Sequence, residues 1–258
     1  MIKFLVKEFF ESLIRNIRKL RCTRKIKERL NKEYSAISEN GFHSIDGFLS
    51  RDECSALIKE IDSLINKSDI NLWVDSKNSD HRLYFIDTIN EKFAEFLKNE
   101  YFLNVLKVYT GIDSPVGMLL AGRVDAVDGN VGSGGGWHRD SPIQHQTKAI
   151  CYLSDVDESN GPFQYIPKSH KKINIINMCF KKVFRPGQYR FSESDIKKYC
   201  DETGQEAVNM TGEAGKLMFV DTKGIHRGKP IETGSRYVLF CYFWNKKIPN
   251  HFNKYKQV

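Results

Sequence analysis

The segment Gly134-Gly135-Gly136-Trp137-His138-Arg139-Asp140 carries the strongest chemical signal in this 258-residue sequence. His138 and Asp140 stand two residues apart, and side chains at that spacing lie on the same face of a β-strand. Glycines at positions 132, 134, 135 and 136 predict an open loop that lets a ligand approach the backbone closely. Far downstream, His226 offers a second imidazole. Two imidazoles and one carboxylate with open positions are the ligand set of non-haem iron(II) that activates oxygen, so the segment predicts a metal centre.

Arg236 adds an anion anchor to this metal motif. It follows His226 by ten residues and begins an apolar run over residues 236–244 that is typical of a strand. A guanidinium presents a fixed fork of donors that can hold a carboxylate through two hydrogen bonds. A metal motif combined with an anion anchor predicts an enzyme site more specifically than either feature alone.

The basic charge of the chain is concentrated at its N-terminus. The formal net charge is +8, and residues 1–33 hold eleven of the 40 basic and four of the 32 acidic residues, a net +7. The rest of the chain therefore has a net charge of +1. Apolar residues recur at helical spacing between residues 2 and 20, which predicts a basic amphipathic helical arm.

Three partners suit such an arm, namely an anionic membrane surface, its own domain, or a second subunit. Few aromatic residues interleave with the bases, so no nucleic-acid partner is expected. The six cysteines form no CxxC pair and are expected to be reduced thiols in a cytoplasmic protein. No run of about 18 apolar residues predicts a membrane span, and charged residues interrupt the N-terminal apolar stretch that a signal peptide would need.

The order of the predicted elements favours helices first and a β-sandwich or barrel afterwards. The main domain is expected over residues 34–258. A capping box at Ser50 opens one helix, and a second helical stretch covers residues 91–108 with a break near Asn99. Short β-like runs follow at residues 117–124, 148–153, 163–166, 216–220 and 236–244. Residues 171–212 are expected to be a long insertion, with a helix near residues 192–200, of the kind that often covers active sites.

Two further landmarks lie between the histidines. An acidic turn beginning at Asp155 closes on Asn160-Gly161-Pro162, and a strand after it ends at Pro167-Lys168-Ser169-His170. With the His-x-Asp motif and the distal histidine followed by arginine, residues 41–244 resemble the phytanoyl-CoA dioxygenase-like family of iron(II)/2-oxoglutarate oxygenases. The sequence departs from that family at Lys168, where glycine is usual, and at Gly228, where relatives often have a small polar residue that assists the arginine.

The resemblance implies a mainly β fold with flanking helices, a double-stranded β-helix of the jelly-roll or cupin type. It implies that His138, Asp140 and His226 bind Fe(II) and that Arg236 binds the C5 carboxylate of 2-oxoglutarate. The implied cofactors are Fe(II), 2-oxoglutarate and O2, and the implied reaction hydroxylates a substrate with release of succinate and CO2. Relatives that halogenate lack the carboxylate ligand, so Asp140 favours hydroxylation or a related oxidation.

Other candidate residues surround this motif. Lys148 and Tyr152 share one face of a strand and would contact 2-oxoglutarate or substrate if that face points inward. The candidates for the substrate-binding rim are Arg123, Trp137, Arg139, Gln144 and Arg227. A cationic rim would suit an anionic substrate; the alternative is ordinary surface charge.

The hypothesis that best unites these features is an Fe(II)/2-oxoglutarate-dependent hydroxylase of a small-molecule, lipid- or sugar-linked substrate. The basic arm suggests work at the inner face of the membrane on lipid or glycan precursors. One alternative is a cupin-like sugar isomerase or epimerase that needs no 2-oxoglutarate. Another is a non-catalytic binding protein on the same fold.

Overall fold

The computed structural model describes residues 24–140, 146–245 and 247–257, together with positions 6, 9, 10, 13, 14 and 17 of the arm. The α-helices in the continuous ranges are α1 (Arg24–Arg29), α2 (Asn31–Asn40), α3 (Arg51–Ile65), α4 (Glu91–Leu97), α5 (Glu100–Thr110), α6 (Lys172–Phe180) and α7 (Glu193–Thr203). The strands are β1 (Phe42–Ile45), β2 (Leu72–Val74), β3 (Asp80–Tyr84), β4 (Val116–Asp125), β5 (Thr147–Tyr152), β6 (Phe163–Tyr165), β7 (Val208–Met210), β8 (Leu217–Asp221), β9 (His226–Gly228) and β10 (Ser235–Trp244).

The strands form two antiparallel sheets that face each other. The larger sheet has the order β1-β8-β5-β10-β4-β3-β2, and the smaller has the order β7-β6-β9. Side chains of β5, β8 and β10 pack against Phe163, Tyr165 and Met210 of the smaller sheet in one buried cluster. This arrangement, with helices outside the sheets, confirms the predicted β-rich fold with flanking helices.

Strand β5 shows why the larger sheet is buried on both faces. All six of its residues are buried. Ala149 and Cys151 face the helical layer and join the largest apolar cluster. Ile150 and Tyr152 alternate with them and face the smaller sheet. The same alternation turns Lys148 towards the interior between the sheets, where it is 6% exposed.

The helix boundaries follow from local capping. Ser50 forms the predicted capping box with Glu53 at the start of α3. The expected break near Asn99 separates α4 from α5. The Asn99 side chain accepts a hydrogen bond from the Tyr101 amide and so caps the start of α5. Ser192 forms a second capping box at the start of α7. Within residues 171–212, helix α6 adds a helix that the sequence analysis did not predict.

Helices α6 and α7 build a second apolar cluster beside the metal motif. Ile175, Met178 and Tyr199 pack there with Trp137 and Ile225. The insertion therefore has its own buried contacts with the segments that carry His138 and His226.

The packed domain begins earlier than residue 34, where the sequence pattern placed its start. Leu30 is 3% exposed and belongs to the main apolar cluster, and Ile26 packs against that cluster. Both residues lie in the basic segment 1–33, which the sequence pattern assigns to the arm. The pattern misplaces the border because charge alone does not reveal which apolar side chains of a helix are buried. No helix among the described residues is long and apolar enough to cross a membrane.

Candidate metal centre

The two histidines are brought together by direct backbone pairing. His138 forms an isolated antiparallel bridge with His226, the first residue of β9. Each backbone amide donates to the carbonyl of the other residue at 2.9 Å. Residues paired in this way project their side chains to the same face, and the imidazole centroids lie 4.4 Å apart.

Asp140 completes a three-residue cluster. Its amide donates to the Thr222 carbonyl at 2.9 Å, which fixes the backbone just after the bridge. Its Oδ1 lies 3.5 Å from His138 Nε2, and its Oδ2 lies 3.6 Å from His226 Nε2. The ligand atoms of the three residues all lie within 4.8 Å of one another. Two ligands that each lie about 2.1 Å from one ion are at most about 4.2 Å apart. Each imidazole lies within that limit of one carboxylate oxygen, His138 of Oδ1 and His226 of Oδ2.

Both imidazoles present the same nitrogen to the cluster. His138 Nδ1 lies 2.8 Å from the Gly136 carbonyl, and His226 Nδ1 lies 2.9 Å from the Gly224 carbonyl. A carbonyl oxygen only accepts, so each Nδ1 carries the proton and each Nε2 keeps its lone pair for a metal. Nε2 of His226 is buried without a hydrogen-bond partner, as expected for a metal ligand.

The protonation states of the cluster also suit a cation. Burial opposes ionisation of Asp140, but the Lys148 ammonium and the two imidazoles outweigh it and hold the Asp140 pKa well below its usual range. Burial, assisted by His138, lowers the pKa of His226 to about 4. Near neutral pH the cluster is therefore an anionic carboxylate beside a neutral His226 imidazole.

Lys148 is the nearest cation to this carboxylate. Its Nζ lies 2.5 Å from Asp140 Oδ2 and 4.4 Å from the centre of the Tyr242 ring. Burial opposes the charge of Lys148, but Asp140 outweighs it and raises the Lys148 pKa. Lys148 therefore pairs with Oδ2 of Asp140 and not with Oδ1.

Arg236 presents unsatisfied donors to the same cavity. The residue is 2% exposed, and its Nε and Nη1 have no hydrogen-bond partner among the described residues. Burial lowers the pKa of Arg236, yet a guanidinium stays protonated in proteins. A buried charge with free donors favours an anionic ligand in this cavity.

The cluster and Arg236 line one cavity of about 170 Å³. Apolar and aromatic side chains form much of its wall, and polar or charged groups from several elements point into it. The lining residues are Arg82, Leu120, Ser133, Gly134, His138, Asp140, Lys148, Ile150, Tyr152, Phe163, Arg190, His226, Gly228, Arg236, Val238, Phe240 and Tyr242.

Both candidates on β5 line this cavity. Lys148 contacts Asp140, as described above. The Tyr152 hydroxyl accepts the Phe163 amide at 2.8 Å and donates to the Met210 carbonyl at 2.9 Å. The tyrosine ring therefore forms wall, while its hydroxyl connects the two sheets.

The predicted rim residues lie elsewhere where the structure describes them. Arg123 faces outward and pairs with Asp62 and Asp125 at 3.2 and 3.0 Å. Arg139 points away from the ligands, since it alternates with them, and its Nε donates to the Lys223 carbonyl. Neither side chain lines the cavity. Gln144 falls outside the described residues.

Trp137 and Arg227 form a separate, partly buried cluster with the insertion. The Arg227 guanidinium lies 4.4 Å from the centre of the Trp137 ring and 2.5 Å from Glu193 of α7. Trp137 Nε1 donates to the same carboxylate at 3.2 Å. These two residues contact α7 instead of the cavity because they occupy the alternate face of the strands that carry His138 and His226.

Three polar residues of the cavity were missed by the sequence analysis. Arg82 lies on β3, Ser133 in the glycine loop, and Arg190 just before α7. Arg190 Nη1 donates to the carbonyls of Gly134 and Gly135, which places an exposed arginine over the loop. Alternation over residues 80–84 is the sequence signal for Arg82, and no local signal marks Ser133 or Arg190.

Comparison with known proteins agrees with this geometry. The model of the phytanoyl-CoA dioxygenase (PhyH) family matches residues 37–237. The ectoine dioxygenase of Bordetella parapertussis is 20% identical over 213 residues, which are 75% of this chain and 68% of that protein. The ectoine dioxygenase of Halomonas elongata is 22% identical over 217 residues, which are 75% of this chain and 63% of that protein.

A solved structure shares the fold at low sequence identity. The epimerase SnoN from nogalamycin biosynthesis, in complex with Fe3+, alpha ketoglutarate (2-oxoglutarate) and nogalamycin RO, matches with a TM-score of 0.64 and 14% identity over 84% of each chain. The matches confirm the predicted family resemblance, the jelly-roll fold and the oxygenase class. The predicted cofactors, Fe(II), 2-oxoglutarate and O2, agree with the family and with the ligand set in the cavity.

Proposed function

Because this chain belongs to the phytanoyl-CoA dioxygenase family, we propose that it is an Fe(II)/2-oxoglutarate-dependent hydroxylase of a small-molecule substrate. The reaction would couple substrate oxidation to conversion of 2-oxoglutarate into succinate and CO2. The observation that carries this proposal is the convergence of His138, Asp140 and His226 beside the free donors of Arg236.

Each residue has a distinct task in this proposal. His138, Asp140 and His226 would hold Fe(II), which supplies oxygen activation when bound and leaves positions open for small ligands. Arg236 would fix the C5 carboxylate of 2-oxoglutarate and so orient its keto acid towards the metal. Lys148 would hold Asp140 in place, and the apolar walls would limit access of water.

An anaerobic titration tests the proposal directly. Fe(II) is added to the protein, followed by 2-oxoglutarate, and the visible absorption is recorded. A weak charge-transfer band that appears only when both are present supports a keto acid bound to the metal. O2 consumption with stoichiometric succinate then establishes turnover; a protein that binds no Fe(II) or no 2-oxoglutarate contradicts the proposal.

The same titration separates the alternatives. A cupin-like sugar isomerase would be insensitive to 2-oxoglutarate, and a non-catalytic binding protein would form no succinate. SnoN is named as an alpha ketoglutarate-dependent epimerase, so succinate alone does not establish hydroxylation. Transfer of label from oxygen-18 gas into the organic product distinguishes hydroxylation from epimerisation.

The substrate class that we propose is a small molecule or a lipid- or sugar-linked precursor, and we propose that it is anionic. Support comes from Arg190, an exposed arginine beside the glycine loop that also lines the cavity. A cation at the edge of a cleft attracts anionic ligands and raises their local concentration. Screening phosphorylated, carboxylated and neutral compounds for stimulation of succinate release tests this class, and stimulation by neutral compounds alone would contradict it.

We also propose that the arm contacts an anionic membrane surface, which would place a cytoplasmic enzyme at the inner face of the membrane. Its described apolar side chains are 42–64% exposed and are therefore accessible to a membrane surface; they are Val6, Phe9, Phe10, Leu13, Ile14 and Ile17. The net charge of +7 in residues 1–33 opposes pairing of two arms and favours negatively charged lipids.

Vesicle flotation tests the arm. The full chain is expected to float with vesicles that contain phosphatidylserine or phosphatidylglycerol and to remain behind with neutral phosphatidylcholine vesicles. A chain lacking residues 1–23 keeps Ile26 and Leu30 in the core and is the matched control. Equal flotation of both proteins, or arm-dependent dimers without vesicle binding, would contradict the membrane proposal.

A further inference from the structure

Ser133 occupies the place that a side chain at position 228 would fill. In β9, His226 and Gly228 are buried on one face, while Arg227 points the other way. A side chain at position 228 would therefore point into the cavity beside His226. A Cβ atom there would lie 2.8 Å from Ser133 Cβ and 3.0 Å from the Ser133 amide nitrogen and carbonyl oxygen. The two positions compete for the same space.

Two glycines allow the loop to reach this place. The Gly228 amide donates to the Ser133 carbonyl at 3.0 Å. Gly132 has φ of +72°, and a Cβ atom on it would lie 2.2 Å from the Gly228 carbonyl oxygen. Side chains at either position would push the loop away from β9. The pair of glycines thus delivers Ser133 to the cavity wall.

The Ser133 hydroxyl accepts one hydrogen bond and donates one long hydrogen bond. The residue is 9% exposed and lines the cavity. Its hydroxyl accepts from Arg82 Nη2 at 3.1 Å and lies 3.3 Å from Asp80 Oδ2, a long contact for a donated bond. Asp80 already pairs with Arg82 at 2.5 Å. The Ser133 proton can therefore turn from Asp80 to an anion in the cavity without leaving Asp80 unpaired.

The strand register places Asp80 and Arg82, the hydrogen-bond partners of Ser133, on the same sheet face as Arg236. In β4, Val124 pairs with Asp80 of β3 on one side and with Arg236 of β10 on the other. Two residues earlier in β4, Gly122 pairs in the same way with Arg82 and Val238. Side chains in such rows project from one face of the sheet. Besides burial, Arg82 lowers the pKa of Arg236 while Tyr152 and Asp80 raise it, which agrees with the closeness of these groups.

We propose that Ser133 binds the C5 carboxylate of 2-oxoglutarate together with Arg236. Its hydroxyl would donate the hydrogen bond that glycine at position 228 is unable to provide. The inference rests on the proposed function, since it assumes that Arg236 anchors the cosubstrate. It assigns a cosubstrate-binding role to a loop residue whose sequence position, five residues before His138, carries no such signal.

Exchange of the two residues provides the test. Binding of 2-oxoglutarate is measured by calorimetry on the full-length, Mn(II)-loaded protein without O2, for wild type, S133A, G228S and S133G/G228S. One hydrogen bond to a charged group corresponds to about a tenfold change in affinity, so S133A should bind 2-oxoglutarate about tenfold more weakly. The G228S protein should lose affinity because its new side chain collides with Ser133. The double variant removes that collision and returns a hydroxyl, so its affinity should recover to near the wild-type value.

2-Oxopentanoate serves as the second probe, because it has the same chain length without the C5 carboxylate. Its affinity should be unchanged in S133A. Wild-type binding of 2-oxoglutarate by S133A, equal weakening of both keto acids, or no recovery in the double variant would overturn the inference. Mn(II) affinity and thermal melting report whether each variant keeps its metal site and fold. An R236M protein that still binds 2-oxoglutarate normally would instead overturn the proposed function, so the two failures are distinguishable.

Discussion

The three proposed metal ligands are oriented by contacts with their surroundings. His138 and His226 each direct Nδ1 to a backbone carbonyl two residues earlier, which leaves both Nε2 atoms facing Asp140. Lys148 holds one oxygen of that carboxylate. Arg236 is held in a buried row with free donors. Backbone carbonyls therefore orient the two imidazoles, and Lys148 orients the Asp140 carboxylate.

Loss of one ligand should abolish turnover without unfolding the protein. His138→Ala removes one imidazole at the cavity wall and should lower Mn(II) affinity by at least about 100-fold, the upper range for loss of an outer-shell partner. Calorimetry and succinate assays measure both effects. His251→Ala, at an exposed histidine outside the cavity, is the matched control and should bind metal normally. Unaltered succinate formation by the His138 variant would refute the ligand assignment.

The guanidinium of Arg236 should be irreplaceable by an ammonium. Arg236→Lys keeps the charge but loses the planar fork, so 2-oxoglutarate affinity should fall by about 10- to 100-fold while metal affinity is retained. Arg123→Lys makes the same exchange at an arginine outside the cavity and should leave affinity unchanged. Calorimetry with Mn(II)-loaded proteins compares them. Equal affinities in the two variants would show that Arg236 does not bind the cosubstrate.

At the scale of elements, the glycine loop determines the shape of the site. Gly132 permits contact with β9, and Gly134 lies against the ring of His138. Arg190, which lies in the insertion, donates hydrogen bonds to the Gly134 and Gly135 carbonyls of the loop. The loop thus connects the proposed metal ligand His138, the cavity wall at Ser133 and the insertion.

Two glycines of this loop provide a matched pair of substitutions. Gly134 and Gly136 have φ of +88° and +87°, so alanine at either position should cost about 1–2 kcal/mol of stability. A Cβ atom at position 134 would lie 2.5 Å from His138 Cε1, whereas one at position 136 meets nothing within 4 Å. Gly134→Ala alone should therefore weaken Mn(II) binding. Thermal melting and metal calorimetry separate the two effects, and equal metal affinity in both variants would contradict this account.

In the whole molecule, the larger sheet separates a helical layer from the layer that contains the cavity. Helices α2, α3 and α5 contribute to the largest apolar cluster on one face. The cavity lies on the other face, against the smaller sheet. The segment before α2 takes part in this packing through Leu30, so the border between arm and domain lies inside the basic region.

Two truncations should locate that border. Deletion of residues 1–23 removes none of the described side chains of the main cluster and should leave the melting temperature nearly unchanged. Deletion of residues 1–33 removes Ile26 and Leu30 and should cost at least about 2–5 kcal/mol, the range for losing one buried leucine side chain. Urea and thermal denaturation measure the difference. Equal stability of the two truncated proteins would place the border at residue 34 after all.

The sequence by itself determined the features that depend on local chemistry. The His-x-Asp spacing, the ten-residue spacing between the distal histidine and its arginine, and the capping box of α3 are readable because each involves nearby residues or a periodicity of two or 3.6. The family landmarks added the fold and the cofactors. The exposed or buried state of the rim arginines was not readable, because surface charge and binding charge look the same in a sequence.

Only the tertiary structure decided which residues share the cavity. Strand register placed Asp80, Arg82 and Arg236 on one face, and backbone contact between the glycine loop and β9 brought Ser133 to the position of the missing side chain at residue 228. The same packing turned Trp137, Arg139 and Arg227 away from the cavity. These contacts join residues far apart in the chain, and no local propensity encodes the register that brings them together.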